Sequence, residues 1–157
     1  MGRTSVADYL FDFERLGSEQ AFGEHQGYRT ARLQYGQIAD LAFRFARELT
    51  ARGIRKGDRV VLWGLNSAAW VAAFFGCANR GVIAVPMDHA AATDFALRVF
   101  RQVDARLLVC SRDHAQLGLP ALLLEEFETS LQERSPAPLE PEKISLEDFF
   151  VLRDGVL

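Results

Sequence analysis

The residues best placed to do chemistry lie in two short stretches, Gly64-Leu65-Asn66-Ser67 and Met87-Asp88-His89, each directly behind an apolar run. Asp88 beside His89 pairs a carboxylate with an imidazole, the couple that orients a general base. No nucleophile stands next to it, so the residues support a satisfied loop pair over a catalytic dyad. Asn66 and Ser67 are hydrogen-bond acceptors ahead of a helix, where such side chains cap free amides. Ser67 is outside any GxSxG elbow. Gly64 is a lone glycine, too little for close approach of a pyrophosphate, and neither GxGxxG nor GxxxxGK[ST] occurs. His25, His89 and His114 are scattered, Cys77 and Cys110 fall in apolar runs, and no CxxC or HxxxH spacing exists, so no metal site is expected. Trp63 and Trp70 read as core residues. The inventory assigns no catalytic, cofactor-binding or metal-ligating residue.

The elements that position these stretches follow from the pattern of apolar residues. Val60-Val61-Leu62-Trp63 is a short run of β-formers, and Gly64 to Ser67 breaks it. From Ala68 to Asn79 the chain is apolar on nearly every helical face, with Trp70, Val71, Phe74, Phe75, Cys77 and Ala78, which predicts a helix buried on all sides. Gly81 ends it, and Val82 to Pro86 is a second buried strand. Strand, helix and strand make a parallel βαβ unit. Residues 60–79 carry no charge, a length that suits a membrane helix. Gly64, Asn66, Ser67, Gly76 and Asn79 interrupt the run, and no transmembrane segment is expected.

Around this unit, Ser5 to Leu16 predicts a helix with Val6, Tyr9, Leu10 and Phe13 inward. Ala21–His25 and Ala31–Gln34 predict a small hairpin with its loop at 26–30. Tyr35 to Arg52 is the clearest amphipathic helix. Ile38, Leu41, Ala42, Phe45 and Leu49 form its stripe, with Asp40, Arg44, Arg47 and Glu48 toward solvent and Asp40–Arg44 and Glu48–Arg52 as i,i+4 pairs. Ala91 to Asp104 predicts a helix with Phe95, Val99, Phe100 and Val103 inward. Arg106–Cys110 and Ala121–Leu124 predict a third and a fourth strand, and Glu125–Arg134 a peripheral helix. Ser135 to Pro141 holds three of the five prolines and reads as an exposed linker. The expected architecture is α/β: three layers, a mostly parallel sheet with helices on both faces, and a small N-terminal hairpin. Residues 1–134 form the α/β subdomain, and 135–157 a Pro-rich linker and end.

Size and charge narrow the function classes. A chain of 157 residues, 49% hydrophobic and 25% charged, has the composition of a single soluble globular domain. Its net charge of −3 leaves no electrostatic footprint for nucleic acid. The start, MGRTSVADYLFDF, is no signal peptide, and two unpaired thiols fit a reducing cytoplasm, the expected location.

Four stretches carry a resemblance. Gln34-Tyr35-Gly36-Gln37-Ile38, Ala51-Arg52-Gly53-Ile54-Arg55-Lys56-Gly57-Asp58-Arg59-Val60, Asn66-Ser67-Ala68-Ala69-Trp70 and Arg80-Gly81-Val82-Ile83-Ala84-Val85-Pro86-Met87-Asp88 follow in order. Together they resemble the opening of the adenylate-forming enzymes, the acyl-CoA and acyl-carrier-protein synthetases with luciferases and nonribosomal-peptide adenylation domains. Gln34 stands where that family has threonine, a departure at a helix cap. The resemblance covers roughly residues 30–112.

It implies a partial large domain of a carboxylate-activating ligase. ATP, Mg2+ and a carboxylic acid, with a weak indication of a fatty one, would give an acyl adenylate, and coenzyme A or a carrier-protein phosphopantetheine would take the acyl group. The family's Ser/Thr/Gly-rich phosphate loop, adenine-binding aromatic, ribose-binding aspartate and mobile lysine domain are expected beyond Leu157. This chain alone is then expected to bind no cofactor and to be inactive. Its partner is the remainder of its own polypeptide, and its apolar faces favour self-association. A standalone doubly wound nucleotide-binding domain and a noncatalytic interaction module remain the alternatives.

Overall fold

The computed structural model describes residues 5–26, 29–145, 147–148 and 151. The tip of the expected hairpin loop, residues 27–28, lies outside them, as do the side chain of His25 and most of the end after residue 148. Strand β1 (Gln20–Gln26) pairs antiparallel with β2 (Arg29–Gln34), both strands running further toward the loop than alternation alone indicated. The main sheet has β3 (Arg59–Trp63) between β4 (Ile83–Met87) and β5 (Ala105–Cys110), with β6 (Ala121–Leu123) beyond β5, all parallel.

Because side chains alternate along a strand, the register creates two cores. Val60, Leu62, Ala84, Leu107 and Val109 face one side, where α1 (Tyr9–Leu16), α2 (Tyr35–Ala51) and α3 (Ala68–Asn79) pack. Val61, Trp63, Val85, Met87 and Leu108 face the other, under α4 (Thr93–Gln102). Helix, sheet and helix form three layers. Gly53 and Gly81 end α2 and α3 at φ 71° and 62°, a region open to glycine without strain.

Several faces differ from the expected ones. The chain enters α1 through a 3-10 turn at Val6–Asp8, whose tighter winding shifts the phase. Val6 and Tyr9 are therefore exposed, and Ala7 and Leu10 are the buried pair. Helix α3 is not buried on all sides. Ala68, Ala72, Ala73, Gly76 and Cys77 face inward, while Trp70, Val71, Phe74 and Phe75 are half-buried on the other side. Phe95 points outward under Arg98, 5.8 Å from the ring centre, and Ala96 takes its place in the core. The helix expected over 125–134 shrinks to a 3-10 turn, Leu124–Glu126, and α5 (Phe127–Ser130). It is not peripheral either: Phe127 is buried with its ring 5.0 Å from that of Phe45.

Residues 135–145 have neither helix nor strand, and bonds tie them to the body. Arg44 Nη1 donates to the carbonyls of Leu131, Gln132 and Arg134 at 3.4, 2.6 and 2.7 Å, turning away from the expected pairing with Asp40. Arg47 Nη1 donates to Ser135 and Ala137, Asn79 Nδ2 to Leu139, and Arg80 to Glu140. Glu48, expected in solvent, is buried. It accepts from Arg52 Nε as anticipated and also from Arg134 Nε, both at 2.7 Å. The second partner lies 86 residues on, beyond any helical periodicity. Among the described residues no helix is long and apolar enough to cross a membrane.

Candidate functional site

In an open α/β sheet, ligands settle outside the carboxyl ends of strands where neighbouring connections leave over opposite faces. Here that point lies between β3 and β5. The chain leaves β3 into α3 on one face, while Leu117 and Leu119, in the segment after β5, pack into the core on the other. The residues at this crevice are Trp63-Gly64-Leu65 after β3, Ser111 to His114 after β5, and Leu124-Glu125 after β6.

Side chains from the neighbouring strands pack tightly on Gly64. A Cβ on Gly64 would lie 2.5 Å from both Leu124 Cδ1 and Ser111 Oγ. Leu65 N–H points at Ser111 Oγ, 3.4 Å away, and both oxygens of Glu125 accept from the Arg112 N–H at 3.1 and 3.0 Å. Trp63 is fully buried and its indole stacks on His114, centroids 3.7 Å apart and planes 5° from parallel. Its Nε1 has no hydrogen-bond partner among the described residues.

The sequence candidates disperse and regroup. Ser67 caps α3 by accepting from the Trp70 N–H at 3.1 Å, and Asn66 is exposed. Asp88 Oδ1 accepts from the Ala90 N–H at 2.9 Å and so turns the loop that carries His89. His89 and His114, scattered along the chain, meet with Nδ1 and Nε2 3.3 Å apart. That contact was missed because it needs the strand order: both histidines follow apolar runs, and only parallel β4 and β5 bring those ends to one edge. Burial, and then the neighbouring His89, push the His114 pKa down, more strongly than a hydrogen bond to the His89 backbone and the carboxylates of Asp113 and Glu125 raise it. Burial pushes the Cys77 thiol up strongly and that of Cys110 up to about 11, so both stay protonated and inert. A separate cleft of about 530 Å³ runs along α2 toward α5, lined by Gln37, Leu41, Arg44, Ala68, Glu128 and Thr129 among others.

Among the described residues no group of three His, Cys, Asp or Glu side chains could hold a metal ion. At the strand ends Ser111 and Leu124 pack directly on Gly64 and leave no room there for a side chain.

Comparison with known proteins supplies what the site does not. The model of the AMP-binding enzyme family matches residues 15–149. The long-chain-fatty-acid–CoA ligase FadD13 of Mycobacterium tuberculosis is 47% identical over 57 residues, 36% of this chain and 11% of that protein. The putative acyl-CoA synthetase YngI of Bacillus subtilis is 30% identical over 118 residues, 73% of this chain and 21% of that protein. A fatty acyl-adenylate ligase from L. pneumophila, solved with acyl adenylate and pyrophosphate, superposes on 94% of this chain and 27% of its own, with TM-score 0.76 and 24% identity, a likeness of fold. The chain thus spans between a tenth and a fifth of the length of these curated relatives. The match across 15–149 makes this chain a member of the AMP-binding enzyme family, whose relatives here are acyl-CoA ligases.

Proposed function

We propose that this chain is one α/β layer of a ligase that activates a carboxylic acid with ATP, and that it holds no adenylation site of its own. The observation that carries this is the family match over residues 15–149. In the proposed reaction a carboxylate oxygen attacks the α-phosphorus of ATP and pyrophosphate leaves. The acyl adenylate is a mixed anhydride with AMP as leaving group, and a thiol sulfur then takes the acyl carbon. The names of the relatives favour a fatty acid as substrate and coenzyme A as thiol, with a phosphopantetheine carrier as the other acceptor. No step is assigned to residues of this chain.

A standalone nucleotide-binding domain is disfavoured by the tight packing of Ser111 and Leu124 on Gly64 at the strand ends. The half-buried side of α3 is the proposed contact with the remainder of the polypeptide. There Trp70 and Phe74 stack at 5.6 Å. Without that remainder the same face is expected to bring two copies together, and light scattering that finds a monomer at high concentration would refute this. The main test is acid-dependent exchange of labelled pyrophosphate into ATP. The 157-residue chain is expected to show none with any fatty acid and no calorimetric binding of MgATP. Exchange or micromolar binding by the chain alone would overturn the proposal.

A further inference from the structure

We propose that His89 and His114 are the two arms of a chelate for a late first-row divalent ion such as Zn2+, tying the loop after β4 to the loop after β5. The two rings converge because β4 and β5 flank β3 in parallel and end at the same edge of the sheet. Their nitrogens are 3.3 Å apart, the ring centroids 5.0 Å apart, and the planes inclined by 59°. A straight N–H···N bond of that length would hold the centroids roughly 5.6 Å apart. Two imidazoles at about 2.0–2.1 Å from one tetrahedral ion place their nitrogens about 3.4 Å and their centroids about 5.2 Å apart. The observed pair is bent toward the second arrangement.

The surroundings fix the ring of His114 and shape the loop that bears His89. Trp63 is buried and stacks flat on His114, which fixes the plane of that ring. The loop bearing His89 is turned by the bond from Ala90 N–H to Asp88 Oδ1, and the one bearing His114 by the bond from His114 N–H to the Ser111 carbonyl. Two imidazole ligands select Zn2+, Cu2+ or Ni2+ over Mg2+ and Ca2+, which demand oxygen ligands. This ion is therefore separate from the magnesium of the proposed ligase. With only two protein ligands the remaining positions belong to water, so the ion exchanges readily. What it adds is a staple across β3 that stabilises the fold by mass action.

The test titrates the whole chain with ZnCl2 by calorimetry at neutral pH, with tryptophan emission followed in a parallel CuCl2 titration. One ion per chain with micromolar affinity is expected. Cu2+ should quench part of the emission, because Trp63 lies against His114 while Trp70 is remote in sequence and on the other face of the sheet. His89→Ala and His114→Phe should each weaken Zn2+ binding by more than the roughly 10–100-fold that loss of an outer-shell partner costs. His114→Phe keeps a ring against Trp63, and an unchanged circular dichroism spectrum verifies its fold. His25→Ala should bind like the parent. Binding that survives either variant, binding lost in His25→Ala, a stoichiometry other than one, or no heat up to millimolar Zn2+ overturns the chelate and leaves the pair as a bent hydrogen bond.

Discussion

Gly76→Ala tests what holds the helical layer together, because two effects of opposite sign meet there. In an exposed helix interior, alanine in place of glycine gains about 0.8–1.0 kcal/mol. In α3, a methyl at residue 76 would stand 2.7 Å from Phe45 Cδ1, 2.9 Å from the Ala42 carbonyl oxygen and 3.3 Å from the Ala46 nitrogen. Carbon contacts are comfortable at about 3.5–4.0 Å, so the methyl overlaps α2 by most of an ångström. Phe45 is fully buried and its ring rests against Phe127, so it cannot swing aside cheaply. The Ala42 oxygen is helix backbone and moves only if α2 moves. Overpacking costs about 1–3 kcal/mol, and a clash with backbone belongs at the upper end. The net expectation is a loss of about 1–2 kcal/mol, which for a chain of this size lowers Tm by roughly 2–8 °C. Urea unfolding should show a lower midpoint with an unchanged slope. Adding Phe45→Leu removes the ring contact but not the carbonyl one, so the double variant should recover part of the coupling and no more. A Gly76→Ala chain as stable as the parent, or more so, would refute the close approach of α2 and α3.

Three further outcomes follow from single side chains. Burial pushes the Glu48 carboxyl up, but hydrogen bonds from Arg134 and Arg52 prevail and hold it below its ordinary 4.5. Its stabilisation is therefore complete above that value and fades as pH falls through the lowered one. Glu48→Gln should cost about 1–2 kcal/mol at neutral pH, discounted because both guanidiniums are a third or more exposed. The gap from the parent should close in acid, and urea midpoints that keep the gap at every pH would contradict this. Ser67→Ala should cost about 1 kcal/mol through loss of the α3 cap, with Ser67→Asp largely retaining it, measured by the same unfolding curves. Cys77 and Cys110, both buried and protonated, should react with a disulfide reagent only on unfolding, and rapid labelling of the native chain would show that the core opens.

Hydrophobic runs made the strands and helices legible, because a βαβ unit announces itself through two short β-former runs around an apolar helix. They did not say which side of α3 faces in. Every position from Ala68 to Ala78 is apolar, and size rather than polarity decides: Ala72, Ala73 and Gly76 admit α2, and Trp70 and Phe74 fit only on the outer side. Glu48 shows the same limit for charge, since periodicity gave it to solvent while Arg134 turns it inward. His89 and His114 required strand order, which no local pattern carries.

The resemblance to adenylate-forming enzymes can now be followed residue by residue, and each shared stretch performs a local folding task. Gln37 Oε1 accepts the Gln34 N–H at 2.9 Å where α2 begins, and Asp58 Oδ2 accepts the Arg55 N–H at 2.8 Å in the turn into β3. Ser67 caps α3, and Gly81 turns the chain into β4. The signature that marks the family in this chain is thus a set of caps and turns around one parallel unit.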